Sequence, residues 1–238
     1  MNTQAQAILG LPVIELPGGG RALFTDRSVG NLSSVGGDGR EQGAAARERL
    51  RDALGASRIA RGYQVHGTVV RRIRRDGEGL IEHDEAHQPP VEADGHALAA
   101  RDTAAMVLTA DCVPVVLGAG GAVAALHAGW RGLAAGVLEE GVRALRDVGG
   151  VGDAVAVVGP CAGACCYEVG EEVHAVFQDA HRHGRTIDLR AIARERLLAA
   201  GIDEVRDVGG CTICEKRFFS YRREGSRAGR QAGLAWLV

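Results

Sequence analysis

The feature that most constrains the fold is an apolar stretch, residues 104–126, in which Asp111 is the only charged residue. A stretch of this length and hydropathy is compatible with a membrane-spanning helix. Four helix-breaking residues interrupt it: Pro114, Gly118, Gly120 and Gly121. The apolar residues here and just beyond instead form three short runs, 104–109, 113–117 and 123–127, which predict buried strands at the centre of a sheet.

The rest of the chain mixes strand and helix patterns. Further strands are predicted at 21–24, 64–73, 155–158, 218–221 and 234–238. Helices are predicted at 43–54, 132–148, 171–179 and 189–200. Residues 28–39 and 74–93 have the composition of surface loops. Because no segment resembles a long linker, residues 1–238 are predicted to form one α+β domain with mixed sheets.

The charge balance and the residue inventory argue against several classes of protein. The chain has 28 basic and 30 acidic residues, without the basic excess of a nucleic-acid-binding protein. Lys216 is the only lysine, which argues against Schiff-base chemistry and a lysine-containing phosphate loop. Six cysteines are too few for a disulfide scaffold, and the first residues lack the pattern of a secretory signal. We therefore expect a cytoplasmic protein with free thiols and no nucleic-acid or membrane partner.

Three segments place a possible metal ligand at a strand end or a glycine turn. They contribute His66 in Gln64-Val65-His66-Gly67, Cys112 in Ala110-Asp111-Cys112-Val113-Pro114, and His127 in His127-Ala128-Gly129-Trp130-Arg131-Gly132. Reactive groups are common at such positions, where a rigid scaffold lets a side chain reach solvent. Two imidazoles and one thiolate suit tetrahedral zinc with one open position. The alternative is a core cysteine and two hydrogen-bonded histidines.

The segment from His127 to Gly132 has a second property, because an apolar strand precedes it and a helix is predicted to follow. Backbone amides at Gly129, Arg131 and Gly132 would then face an anion such as phosphate. Arg131 could add a bidentate contact. The alternative is a tight turn, with Trp130 in the core and Arg131 solvated.

Seven ordered blocks resemble the signature segments of the laccase-domain family, which comprises polyphenol oxidases and purine nucleoside phosphorylases. Three of the blocks are the segments given above, and the one with Cys112 extends back to Thr109. The other four are Phe24-Thr25-x-Arg27, Ala93-Asp94-Gly95, Gly159-Pro160-Cys161 with Cys166-Tyr167-Glu168-Val169, and Phe218-Phe219-Ser220-Tyr221-Arg222-Arg223-x-Gly225. The loop Ser28-Val29-Gly30-Asn31-Leu32 looks shortened beside the family's glycine-rich run.

The resemblance implies one α+β domain layered helix/sheet/sheet/helix. It implies zinc held by His66, Cys112 and His127, which would also be the catalytic residues, and places Arg27, Gly129 and Arg131 as candidates for binding substrate or phosphate. The implied reactions are phosphorolysis of adenosine, inosine and methylthioadenosine, with deamination of adenosine. The implied partners are therefore small molecules, a purine nucleoside and phosphate.

The residue inventory tests the family's older description as a copper oxidase. A blue-copper centre with a three-copper cluster would use about ten histidines, mostly in His-x-His pairs. This chain has eight histidines, two methionines and one such pair, His181-x-His183. The inventory argues against laccase architecture. It leaves open weak copper binding and polyphenol oxidation at the same three residues, since copper competes well for nitrogen and sulfur ligands.

Three other functional hypotheses remain. Cys112 could be the nucleophile of a cysteine hydrolase acting on an amide of a cell-wall precursor, with His127 as base and His66 or Asp111 orienting it. His83-x-Glu85 with Pro160-Cys161-x-x-x-Cys165 approaches a nucleobase-deaminase motif, but its cysteines are one residue too far apart. The protein could also bind metal without catalysis.

The remaining cysteines are assigned no chemistry by this reasoning. Cys211-x-x-Cys214 could be a redox dithiol or half of a zinc knuckle. Because no second Cys-x-x-Cys occurs, ordinary thiols are the favoured interpretation. We expect Cys161, Cys165, Cys166, Cys211 and Cys214 to contribute to packing.

Overall fold

The computed structural model describes residues 7–34, 40–74 and 91–238. Within these ranges the strands are β1 (Ala7–Ile8), β2 (Leu11–Pro12), β3 (Ile14–Leu16), β4 (Gly20–Phe24), β5 (Arg58–Ala60), β6 (Val70–Ile73), β7 (Gly95–Leu98), β8 (Thr103–Thr109), β9 (Val113–Gly120), β10 (Ala122–Ala128), β11 (Val151–Val158), β12 (Arg182–His183), β13 (Thr186–Ile187), β14 (Glu204–Asp207) and β15 (Gln231–Leu237). The α-helices are α1 (Arg40–Leu54), α2 (Trp130–Ala135), α3 (Val137–Asp147), α4 (Glu171–Val176), α5 (Leu189–Ala199) and α6 (Tyr221–Glu224). Short 3-10 turns occur at Pro17–Gly19, Arg27–Val29 and Gly225–Arg227.

Two mixed sheets form the body of the fold. One has six strands in the order β14-β11-β9-β10-β7-β6, and the other has five in the order β3-β4-β15-β8-β5. The pairs β11–β14, β6–β7 and β5–β8 are parallel, and the other neighbours are antiparallel. The three predicted central strands are confirmed as β8, β9 and β10.

The two sheets pack face to face, with helices on their outer faces. Val116 and Val123 of the six-stranded sheet contact a cluster that includes Val107 of the five-stranded sheet. Helices α3 and α5 cover the outer face of the six-stranded sheet, and α1 covers the outer face of the five-stranded sheet. Each fully buried leucine in these layers, such as Leu50 or Leu138, contributes roughly 2 kcal/mol through burial. The expected helix/sheet/sheet/helix α+β fold is confirmed.

Several predicted elements were wrong in length or type. The strand expected at 64–73 is only Val70–Ile73, and the helix expected at 171–179 ends at Val176. The strand expected at 218–221 is absent, and Tyr221 instead begins α6, capped by the Ser220 side chain. The helix expected at 132–148 begins at Trp130 and breaks at Gly136, whose φ of 99° is left-handed.

Some sequence-based predictions cannot be compared with the structure. His83 and Glu85, with most of the loop predicted at 74–93, lie outside the described residues, as does the end of the loop predicted at 28–39. Among the helices that are described, none is both long enough and apolar enough to cross a membrane.

Candidate metal centre

The structure brings His66, Cys112 and His127 together. One ligand atom from each lies within 4.8 Å of the others. The two imidazole rings meet edge to face, with centroids 4.9 Å apart. Cys112 immediately precedes β9, and His127 lies near the end of the neighbouring strand β10, where it pairs with Pro114. His66 lies in the turn before β6. The strands therefore place two of the donors, and a turn places the third.

Asp94 is the buried residue that connects this centre. Its Oδ1 atom lies 2.7 Å from Nδ1 of His127, and its side chain is fully buried. The same carboxylate accepts backbone N–H bonds from Val65, His66 and Gly67 at 2.8 to 3.1 Å. Burial raises the pKa of Asp94, but the His127 imidazole and the amides of Gly67 and Val65 lower it overall. One ionised carboxylate thus positions both histidines.

The turn that carries His66 is held from two further sides. The Gln64 amide bonds the backbone N–H and carbonyl of Leu108, each at 2.7 Å, which fixes the turn to β8. The first turn of α2 packs so closely that a Cβ at Gly132 would lie 2.7 Å from the Gly67 carbonyl oxygen. His66 itself adopts a left-handed φ of 62°. A non-glycine residue in this region is strained, and such strain is concentrated at functional sites.

Gly129 is required by the same close packing. A Cβ at this position would lie 2.5 Å from Cδ2 of His66 and 3.2 Å from Sγ of Cys112. Any larger residue would push into the centre. Gly129 therefore forms part of its wall, whereas its predicted contact with phosphate stays a prediction.

Asp111 is hydrogen-bonded to the C-terminal part of the chain. Its carboxylate accepts a hydrogen bond from the Thr212 hydroxyl and another from the backbone N–H of Arg222, both at 2.7 Å. Its φ of 92° is left-handed, so these bonds hold a strained turn directly before Cys112. Asp111 is therefore not the group that orients His127. That part of the cysteine-hydrolase hypothesis was wrong, because Asp94 occupies the position.

The electrostatics of the centre favour a thiolate. Burial raises the pKa of the Cys112 thiol, but the charge of His127 and hydrogen bonds with both imidazoles lower it to about 6. Thiolate is the form that binds a metal or attacks an electrophile.

The donor set fits a metal ion. Two imidazole nitrogens and one thiolate suit zinc or copper, and three protein ligands leave a fourth position for water or substrate. Because Asp94 occupies Nδ1 of His127, the Nε2 atom is left to act as the ligand.

The arginines expected to bind substrate lie in different settings. Arg131 is exposed, with its guanidinium 4.2 Å from the centroid of the Trp130 ring. Arg27 forms an ion pair with Glu224, donates to the Phe218 carbonyl and stacks on Phe219. Arg131 is therefore exposed two residues after Gly129, whereas Arg27 is engaged with the C-terminal segment.

The sequence reasoning missed three neighbours of the centre: Asp94, Tyr167 and Arg222. The pKa of Tyr167 is raised to about 12, first by burial and next by the charge of Cys112. The Arg222 guanidinium stacks on the Tyr167 ring at 4.6 Å. All three lie inside the blocks that carry the family resemblance, which was the available signal.

The comparisons with known proteins agree with the family resemblance. Residues 22–238 match the family described as multi-copper polyphenol oxidoreductase laccase. A purine nucleoside phosphorylase of Xylella fastidiosa is 39% identical over 93% of this chain and 88% of its own length. One of Pseudomonas aeruginosa is 40% identical over 73% of this chain and 72% of its own. The crystal structure of a Neisseria meningitidis protein matches with a TM-score of 0.80 and 32% identity, over 95% of this chain and 98% of that one. The chain therefore belongs to the multi-copper polyphenol oxidoreductase laccase family.

Proposed function

We propose that this protein is a zinc-dependent purine nucleoside phosphorylase, with His66, Cys112 and His127 as its metal ligands. The observation that carries the proposal is the convergence of two imidazoles and a thiolate around the buried Asp94 carboxylate. The names of the Xylella and Pseudomonas relatives support the reaction class. Adenosine, inosine and methylthioadenosine are the proposed substrates, and residues 1–238 are proposed to act as one cytoplasmic domain.

When bound, zinc would supply a Lewis acid and would lower the pKa of a water molecule, as deamination of adenosine requires. Zinc is the proposed metal because two imidazoles and one thiolate with an open fourth position suit it. The eight histidines of the chain are too few for the copper sites of a laccase.

In phosphorolysis, a phosphate oxygen forms a bond to C1′ of the nucleoside and the glycosidic C–N bond breaks. The purine leaves with the electron pair and takes up a proton. Positive charge develops on the sugar ring, so a nearby anion stabilises the transition state. Arg131, exposed directly after Gly129 and Trp130, is the proposed phosphate contact. Helix α2 has only six residues before the break at Gly136. The proposed phosphate contact is therefore this guanidinium and not the N-terminus of a long helix.

The residues around the centre have the task of keeping its geometry fixed. Asp94 holds His127 in one tautomer and one ring orientation. Gly129 lets the backbone approach His66 and Cys112. Besides Arg131, a second guanidinium is that of Arg222, which stacks on Tyr167, a neighbour of Cys112.

A second candidate function is favoured by one observation. Cys112 is hydrogen-bonded to His127, and His127 is hydrogen-bonded to Asp94. The nucleophile, the base and the orienting group of a cysteine hydrolase are connected in the same order. Such an enzyme would need a metal-free Cys112. Iodoacetamide labelling of the zinc-loaded protein separates the two, because a ligated thiolate is protected and a nucleophile is alkylated.

The test of the proposed function is a panel of nucleosides incubated with and without phosphate. Release of free base that requires phosphate, from adenosine, inosine or methylthioadenosine, supports a phosphorylase. Turnover of an amide by metal-free protein, without any base release, would reject the proposal in favour of the hydrolase.

A further inference from the structure

A second cluster of metal-binding side chains lies apart from the histidines. It contains Cys165, Cys166, Cys211 and Cys214, one sulfur from each lying within 4.8 Å of all the others. The sequence reasoning expected ordinary thiols here. Instead, the pair Cys165 and Cys166 lies against the pair Cys211 and Cys214, although Cys211 follows Cys166 by 45 residues in the sequence.

The spacing of the sulfurs suits one metal ion. Sγ of Cys165 lies 3.5 Å from Sγ of both Cys214 and Cys166, and Sγ of Cys166 lies 2.8 Å from Sγ of Cys214. With zinc–sulfur bonds of about 2.3 Å in tetrahedral geometry, ligand sulfurs are roughly 3.8 Å apart. The sulfur–sulfur separations, from 2.8 Å to at most 4.8 Å, therefore differ from this value by about an ångström or less.

The backbone is arranged to support charge on this sulfur cluster. The N–H of Gly163 donates to Sγ of Cys211 at 3.3 Å. A Cβ at Gly163 would lie 3.3 Å from Sγ of Cys165 and 3.4 Å from Sγ of Cys211, so only glycine fits without a shift. Amide-to-sulfur bonds of this kind stabilise thiolate ligands, as other outer-shell contacts do.

The two segments are also joined by backbone pairing. Cys161 and Cys211 form a parallel β-bridge, and the N–H of Thr212 donates to the Cys161 carbonyl at 3.0 Å. The cluster therefore lies beside the pairing of two segments that are remote in sequence, so a metal ion bound there would cross-link them.

We propose that Cys165, Cys166, Cys211 and Cys214 bind one structural zinc ion as a closed tetrathiolate site. Four cysteines fill the tetrahedral shell and leave no open position, as in structural zinc sites in general. A single disulfide between Cys166 and Cys214 would use only two of the four sulfurs and leave the other pair unexplained. The site is independent of the proposed phosphorylase activity, because it shares no ligand with the first centre.

Thr212, which lies between two of the zinc ligands, connects this site with the segment that precedes Cys112. The Thr212 hydroxyl bonds Asp111, the strained residue that precedes Cys112. Arg223 holds the same turn from outside by donating to the carbonyls of Thr212 and Ile213 at 2.7 and 2.8 Å. Ordering this turn stabilises the folded chain next to Cys112, so the zinc has a structural role and no catalytic one.

The first experiment measures zinc per chain by mass spectrometry in protein purified under reducing conditions. Cys211→Ser with Cys214→Ser should lose one equivalent relative to the wild type. Cys112→Ser should retain this equivalent even if it loses another from the first centre. The control is Cys161→Ala, which removes a buried thiol outside the cluster and should change nothing. Equal zinc content in the wild type and the double variant would overturn the proposal.

The second experiment needs no variant and therefore does not depend on its folding. In the wild type, N-ethylmaleimide should label Cys165 and Cys214 slowly, although both are exposed, and at least tenfold faster after zinc is removed by a chelator. Equally fast labelling before and after chelation would overturn the site. So would a chain two mass units lighter with Cys166 linked to Cys214, because that result would identify a disulfide.

Discussion

Asp94 and His127 form a close polar contact in the metal centre, 2.7 Å between Oδ1 and Nδ1, and both side chains are almost completely buried. Burial of an ionised carboxylate is costly unless all its acceptor positions are used. Asp94 meets that condition with one imidazole and three backbone amides. The contact therefore links the orientation of His127 to the conformation of the turn that carries His66.

Asp94→Asn should weaken zinc binding at the first centre about 10- to 100-fold, the usual cost of losing an outer-shell partner. An amide side chain can present its N–H to His127 and so favour the wrong tautomer. Competition with a zinc-binding dye measures the affinity. Asp203→Asn is the comparison, because the Asp203 carboxylate also accepts a backbone N–H bond, from Ala154. Unchanged affinity in the Asp94 variant would remove its positioning role.

Cys112→Ser should reduce zinc at the first centre and abolish nucleoside turnover, because a neutral hydroxyl is a poor zinc ligand. Elemental analysis with an assay of base release checks both effects. If Cys112 were instead a hydrolytic nucleophile, the wild-type protein would carry no zinc at this centre.

Gly129→Ala should lower both zinc affinity and turnover while the chain still folds. The added methyl group would lie within contact distance of His66 and Cys112, and one of these ligands must shift. Gly149→Ala is the comparison, because that position has open space and a φ of 113°, so its cost should be in stability alone. Thermal unfolding and turnover of both variants measure the difference. Full activity in Gly129→Ala would show that the ligands are placed differently.

Arg131→Ala should impair phosphorolysis of inosine much more than deamination of adenosine, since water needs no cation to hold it. The exposed Arg143 on α3 provides a control, because it pairs with Glu140 away from the centre. The Michaelis constant for phosphate should rise in the Arg131 variant alone. Equal losses in both reactions would show that Arg131 is structural.

Cys211→Ala with Cys214→Ala should lower stability but leave turnover per folded molecule nearly unchanged. The two sulfurs belong to the second cluster, and their removal loosens the turn around Thr212 without taking away a ligand of the first centre. Urea unfolding and activity measured at low denaturant concentration separate the two effects. Complete loss of turnover in a folded variant would place these thiols in the chemistry.

The strands at the centre of the fold were predictable because their patterns are local. The runs that form β8, β9 and β10 are mostly apolar, and glycine, proline or aspartate residues lie at or near their ends. His66, Cys112 and His127 could be identified for a related reason, because each lies where a strand or a glycine turn ends. Phe218 and Phe219 misled the prediction, since two buried aromatic residues before Ser220 resemble a strand although a helix follows.

The contacts between distant segments could not be predicted. Asp94 reaches His127 across 33 residues, and no periodicity marks an isolated aspartate as a partner. The four cysteines meet next to a bridge between two remote segments, formed by Cys161 and Cys211. The break at Gly136 was missed since an isolated glycine in a helical pattern is often tolerated.

The most direct test of the proposed function is the fate of inosine with zinc-loaded protein in the presence and absence of phosphate. The proposal predicts equal amounts of hypoxanthine and ribose 1-phosphate when phosphate is present, no product without it, and no product from Cys112→Ser under either condition. Hypoxanthine released with free ribose in phosphate-free buffer, or zinc-loaded protein that leaves inosine intact with phosphate, would contradict it.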